Sequence, residues 1–133
     1  MNRHNREQFD TLLEEVITDL PVSVRSIIDE VPVVVLDVPT PDLLVGLELE
    51  EGEAETLCGL HTGIATTERS IEHQWRLPSQ IHLFRVGIID LAGGFDQPGG
   101  IEKVREQIRI TLLHEIGHEF GLDEDDLEDL GYD

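Results

Sequence analysis

The sequence predicts a single α+β domain spanning residues 1–133, with helices packed on a small mixed β-sheet and a long helix near the C-terminal end. Three observations predict it. Segments of helical apolar period stand towards both ends, and short β-branched or alternating stretches lie between them. The resulting order α, α, β, β, β, α, α leaves helices to cover one small sheet. A chain of 133 residues holds one core and is too short for two. Apolar residues make up 39%, enough to bury a modest interior.

Phe9, Leu12, Leu13, Val16, Ile17 and Leu20 recur at helical spacing and form one face of an amphipathic helix that Pro21 ends. A second, short helical segment runs from Val22 to Asp29, with Val24, Ile27 and Ile28 facing inward. Val31 to Val38 is β-branched and closes at Pro39 and Pro41, so it reads as a buried strand. Pro32 offers no N–H to a neighbour and therefore places this strand at an edge or delays its start. Asp42 to Glu55 contains Asp42, Glu48, Glu50, Glu51, Glu53 and Glu55 without a basic residue, the pattern of an exposed acidic loop.

Leu57 to Thr62 is a second strand, weakened by Gly59 and Gly63. Ile81 to Val86 is a third, which Pro78 precedes and whose alternation is that of a half-buried strand. Ile88 to Leu91 makes one helical turn, and Gly93, Gly94, Pro98, Gly99 and Gly100 mark a loop. The longest helix covers Ile101 to Phe120. Val104, Ile108, Leu112 and Ile116 form its apolar ladder, Ile110, Leu113 and Phe120 widen it, and Gly121 stands where helices commonly exit. The acidic tail, Leu122 to Asp133, has Leu127, Leu130 and Tyr132 to dock it as a short helix.

Nine basic against twenty-nine acidic residues give a formal net charge of −20. Phosphate backbones and anionic lipid repel such a surface, so no nucleic-acid or membrane partner is expected. The lone Cys58 forms no intrachain disulfide and builds no cysteine zinc cluster. Met1 to Asp10 lacks the apolar stretch of a secretory signal, and no run reaches the length of a membrane span. A reducing, cytoplasmic setting is the expectation.

The chemistry concentrates in His114-Glu115-Ile116-Gly117-His118, an H-E-x-x-H sequence within the longest helix. Four helical residues return to within about 40° of the starting direction, so both imidazoles reach one metal ion from one face. Glu115 stands beside them as a general base for a water at that ion. With 6 His and 17 Glu, chance places some H-E-x-x-H in about three such chains per hundred. The helical setting, the apolar ladder behind the motif and the following Gly121 make it more specific than the bare pentapeptide.

His114 to Glu124 (HEIGHEFGLDE) resembles the H-E-x-x-H-x-x-G-x-x-[H/D] zinc site of zincin metallopeptidases. More narrowly, the chain is similar to a small bacterial family of zinc-dependent proteases with a minimal metalloprotease-like domain. The similarity runs through the Phe9-to-Leu20 helix with Pro21, Val33 to Val35, Leu57 to Gly63, Thr67-Glu68-Arg69 and Leu77-Pro78. It continues through Ile81 to Arg85 and the motif helix to the closing Leu-Gly-Tyr. The resemblance implies a compact zincin-like fold, an active-site helix, a Zn²⁺ cofactor and a peptide or protein substrate.

It also implies a third metal ligand at position 124. Glu124 stands where the pattern has His or Asp; Asp123 and Asp125 compete with it, and Glu119 and Asp126 are also near. The sole methionine is Met1, so no Met-turn follows the motif as in metzincins. Too little chain follows His118 for a ligand on a later helix of the gluzincin kind. In zincins an edge strand beside the metal binds substrate backbone by β-augmentation, and Ile81, His82, Leu83, Phe84 and Arg85 are the candidates. A strand histidine such as His82 is more often a packed residue.

Three functions are compatible with these ligand types. The first is a zinc-dependent peptidase with Glu115 as its base. The second is a non-catalytic, zinc-stabilised binding or regulatory module, which the small size favours. A metal-dependent endoribonuclease is opposed by the charge of −20 and the lack of a basic stripe.

Overall fold

The computed structural model describes residues 1–44, 56–62 and 80–119, with the backbone alone for residues 61, 62, 118 and 119. Helix α1 (Arg3–Asp19) begins earlier than the apolar face requires, because the Asn2 side chain accepts a hydrogen bond from the Asn5 N–H at 2.8 Å and caps its first turn. Helix α2 (Val22–Glu30) follows directly after Pro21. Strand β1 (Val33–Leu36) leads to a single helical turn, α3 (Pro41–Leu44), so Asp42 lies in a helical turn and not in a loop. Then come β2 (Gly59–Thr62), β3 (Gln80–Phe84), α4 (Arg85–Ala92) and α5 (Gly100–Glu119). Residues 45–55 of the expected acidic loop, Glu68 and Arg69, Phe120 with Gly121, and the tail with Tyr132 lie outside the described residues.

The fold is α+β, and among the described residues the helices pack on a mixed three-stranded sheet of order β1-β3-β2. β1 runs parallel to β3, Val33 opposite Ile81, and β2 runs antiparallel to it, Gly59 opposite Leu83. Among the described residues β1 lies at an edge and starts late, at Val33, the two positions that Pro32 suggested, and the Pro32 carbonyl accepts a hydrogen bond from the Ile81 N–H at 3.0 Å.

β3 corrects an expectation. It is the middle strand, and its backbone is paired on both sides, so Ile81, His82, Leu83 and Phe84 do not form an edge open to an added strand. Its alternation misleads for a physical reason: Ile81, His82, Leu83 and Phe84 are all buried, as a central strand covered on both faces requires. His82 stacks on Phe84, ring centroids 6.3 Å apart. The strand also ends sooner than its pattern implies, at Phe84, and α4 starts at Arg85.

The core joins Phe9, Leu12, Leu13 and Val16 of α1 to Ile81 and Leu83 of β3, Ile88 and Ile89 of α4, and Val104, Ile108, Leu112, Leu113 and Ile116 of α5. Helix α5 is its spine and packs against α1, α4, β2 and β3. Ile110 departs from the expected apolar face: it is 44% exposed. The α4–α5 connection turns on Gly93, Gly94 and Gly99, all at positive φ, where an L side chain is strained. The Gly94 N–H returns to the Ile89 carbonyl at 2.9 Å and closes α4.

Candidate functional site

The H-E-x-x-H residues lie in the last two turns of α5, which is unbroken from Gly100 to Glu119. Positions 114 and 118 therefore stand one turn apart, about 6 Å along the axis and about 40° around it. Burial changes along this helix. Its first turns bury only the ladder, whereas from Thr111 to Gly117 every residue but the half-buried His114 is buried. The part of the motif from Glu115 to Gly117 is thus enclosed by the fold rather than carried on an open helix face.

Glu115 is only 5% exposed. Its stem lies against the backbone of β2 at Gly59, where an added Cβ would stand 3.1 Å from Glu115 Cγ, 2.9 Å from Thr111 Cγ2 and 3.2 Å from the His82 carbonyl oxygen. The strand and helix meet flush because position 59 carries no side chain. Thr111, one turn before Glu115, accepts a hydrogen bond from Gln107 Nε2 at 3.3 Å and is itself buried.

A second close approach supports this strand. A Cβ on Gly87 of α4 would meet the Leu57 carbonyl oxygen at 2.2 Å, so α4 rests on the backbone that leads into β2. The Phe84 N–H donates to the Cys58 carbonyl at 2.8 Å and ties that backbone to β3. Cys58 is packed against the core, and burial raises its thiol pKa, so it behaves as a small interior residue.

Arg85, expected among substrate-contacting residues, is placed elsewhere. Its guanidinium donates to both carboxylate oxygens of Asp10 and to Asp37 Oδ1, each at 3.0 Å, and stands 6.0 Å from the centroid of the Phe9 ring. Asp37 also receives Arg6, whose hydrogen bond is the main cause that lowers its carboxyl pKa below the ordinary 3.8. These four residues fasten α1, the end of β1 and the start of α4 together. Arg85 is 14% exposed at its side chain and fully engaged there.

The donor chemistry at positions 114 and 118, two imidazoles at one-turn spacing with a buried carboxylate beside them, fits zinc. Among the described residues no group of three His, Cys, Asp or Glu gathers around a point. The candidates for the third ligand, Glu124, Asp123 and Asp125, lie outside the described residues. Reading by motif missed Gly59, Thr111 and Gly87. The available signal was Gly59 itself, since a glycine within a strand pattern marks close backbone approach as often as weakness.

No described helix is long and apolar enough to cross a membrane. Comparison with curated proteins gives no match. A family model described as zincin-like metallopeptidase matches residues 28–132, well over half of the chain. That span includes β1, β2, β3, α4 and the whole motif helix, and the chain belongs to the zincin-like metallopeptidase family.

Proposed function

We propose that the chain is a zinc-dependent peptidase in which His114, His118 and a carboxylate from Glu124, or from Asp123 or Asp125, hold the ion and Glu115 is the general base. The observation that carries this reading is the unbroken α5, which sets positions 114 and 118 one turn apart and seats the Glu115 stem against β2. Membership of the family supports it. When bound, zinc supplies Lewis acidity that polarises a carbonyl and brings the pKa of a water to about 7.

The protein's own residues do the rest. Glu115 accepts the proton of the attacking water and passes it to the leaving amine, a transfer its position beside His114 permits. Burial of its stem limits the rotamers it can adopt, so the base is held ready rather than searching. Among the described residues β2 is the edge strand next to α5, and an extended peptide adding to that edge would lie along the motif helix. The role expected of residues 81–85 thereby passes to residues 59–62.

Glu115→Gln tests the mechanism: the variant is expected to keep its metal and lose hydrolysis, and unchanged cleavage refutes it. One observation is compatible with a second reading too. The deep burial of Glu115 suits a zinc-stabilised binding module as well as a poised base. In that case chelation lowers the thermal midpoint, yet the wild-type chain cuts no peptide under any metal loading.

A further inference from the structure

We infer that Gly59, on the strand facing the motif helix, is a positioning residue for Glu115. The inference rests on the reading of Glu115 as the general base. The backbone of β2 at residue 59 is the surface on which the Glu115 stem lies, and the only side chain that fits between them is a hydrogen atom. A Cβ would stand 3.1 Å from Glu115 Cγ and 2.9 Å from Thr111 Cγ2, while ordinary contact begins at 3.4 Å.

Neither neighbour can swing out into solvent, because both are about nineteen-twentieths buried. On the far side the strand is held by its pairing to β3, Gly59 opposite Leu83. A methyl at position 59 therefore turns the Glu115 χ1 and carries its stem away by a few tenths of an ångström. Catalytic geometry is steep on that scale: a misplacement of about 1 Å costs on the order of 100-fold in rate, so a few tenths costs roughly 3- to 10-fold.

The two contacts separate positioning from packing. Thr111→Ser removes the methyl group that makes the tightest contact and keeps the hydroxyl that binds Gln107. It leaves the contact with Glu115 in place.

The experiment compares wild type, Gly59→Ala, Thr111→Ser and the double variant as zinc-loaded full chains cutting fluorescein-labelled casein. Gly59→Ala is expected to lower kcat roughly 3- to 10-fold, with KM and zinc content unchanged. In the double variant the thermal midpoint returns towards wild type and kcat does not. A normal kcat in Gly59→Ala, or a kcat that recovers together with stability in the double variant, overturns the inference. A second readout needs no turnover: side-chain NMR couplings of Glu115 in the metal-free chain report χ1, and the angle is expected to change in Gly59→Ala. An unchanged χ1 overturns the inference by itself. Cleavage by Glu115→Gln at the wild-type rate defeats the reading of the base instead, while the couplings still decide what Gly59 does to the stem.

Discussion

Replacing Gly87 by alanine separates local preference from tertiary fit, because the two predict opposite signs. Gly87 lies inside α4, where alanine is favoured over glycine by about 1 kcal/mol. The structure opposes this gain. The new Cβ would meet the Leu57 carbonyl oxygen at 2.2 Å and its carbon at 2.7 Å, so backbone must part from backbone by about 1 Å. No side-chain rotation relieves the contact, and the neighbouring Cys58 carbonyl is tied to β3.

Overpacking of this kind costs about 1–3 kcal/mol, and a clash between two backbones belongs at the upper end. After the gain in helix propensity a net loss of about 2 kcal/mol remains. For a chain of this size that lowers the thermal midpoint by roughly 6–10 °C. Thermal and urea unfolding followed by far-ultraviolet circular dichroism measure it, with an unchanged m-value showing that the folded state is otherwise the same. A variant as stable as wild type, or more so, refutes the close packing of α4 on the segment that leads into β2.

Two further outcomes follow from the charged and titrating groups. Arg85→Met is expected to cost about 1–3 kcal/mol, below the full value of a buried pair because Asp10 is half-exposed; a double-mutant cycle with Asp10→Asn that shows no coupling contradicts the ion-pair account. Burial lowers the pKa of His82 below its ordinary 6.5, a hydrogen bond to the Leu60 backbone offsetting part of the shift. The unfolded chain therefore binds that proton more readily, and the His82 contribution is complete above pH 6.5 and shrinks as pH falls below it. Thermal midpoints measured between about pH 7.5 and 5 should fall less steeply in His82→Phe than in wild type, and parallel curves would count against a neutral, buried His82.

What was legible in the sequence was what is local. The α1 face is a matter of spacing along one helix, and Phe9, Leu12, Leu13 and Val16 are buried as that spacing requires. Pro32 marked an edge because the missing N–H is a property of the residue itself. The H-E-x-x-H signature stands out for the same reason, since both imidazoles and the carboxylate belong to one turn of one helix.

What depends on distant partners was not legible. Nothing in residues 81–86 states that β1 pairs on one side of β3 and β2 on the other, so a central strand read as an edge. Arg85 reads as the polar member of an alternating strand until Asp10 and Asp37 are brought to it from other segments. Ile110 fits the helical period yet stays exposed, because period fixes direction and not what lies opposite. Gly59 read as a weak point of its strand, and only the approach of α5 turns it into a requirement; nothing local singles out Gly87, whose constraint comes from Leu57.

The most direct measurement is the metal content of the purified chain, taken by atomic emission before and after dialysis against a chelator and repeated for His114→Ala. One tightly held zinc per wild-type chain, its removal lowering the thermal midpoint and its affinity sharply reduced in the variant, is the result predicted here. A chain that purifies free of metal, takes up none when zinc is added and melts at the same temperature with or without it contradicts the assignment of His114 and His118 as ligands.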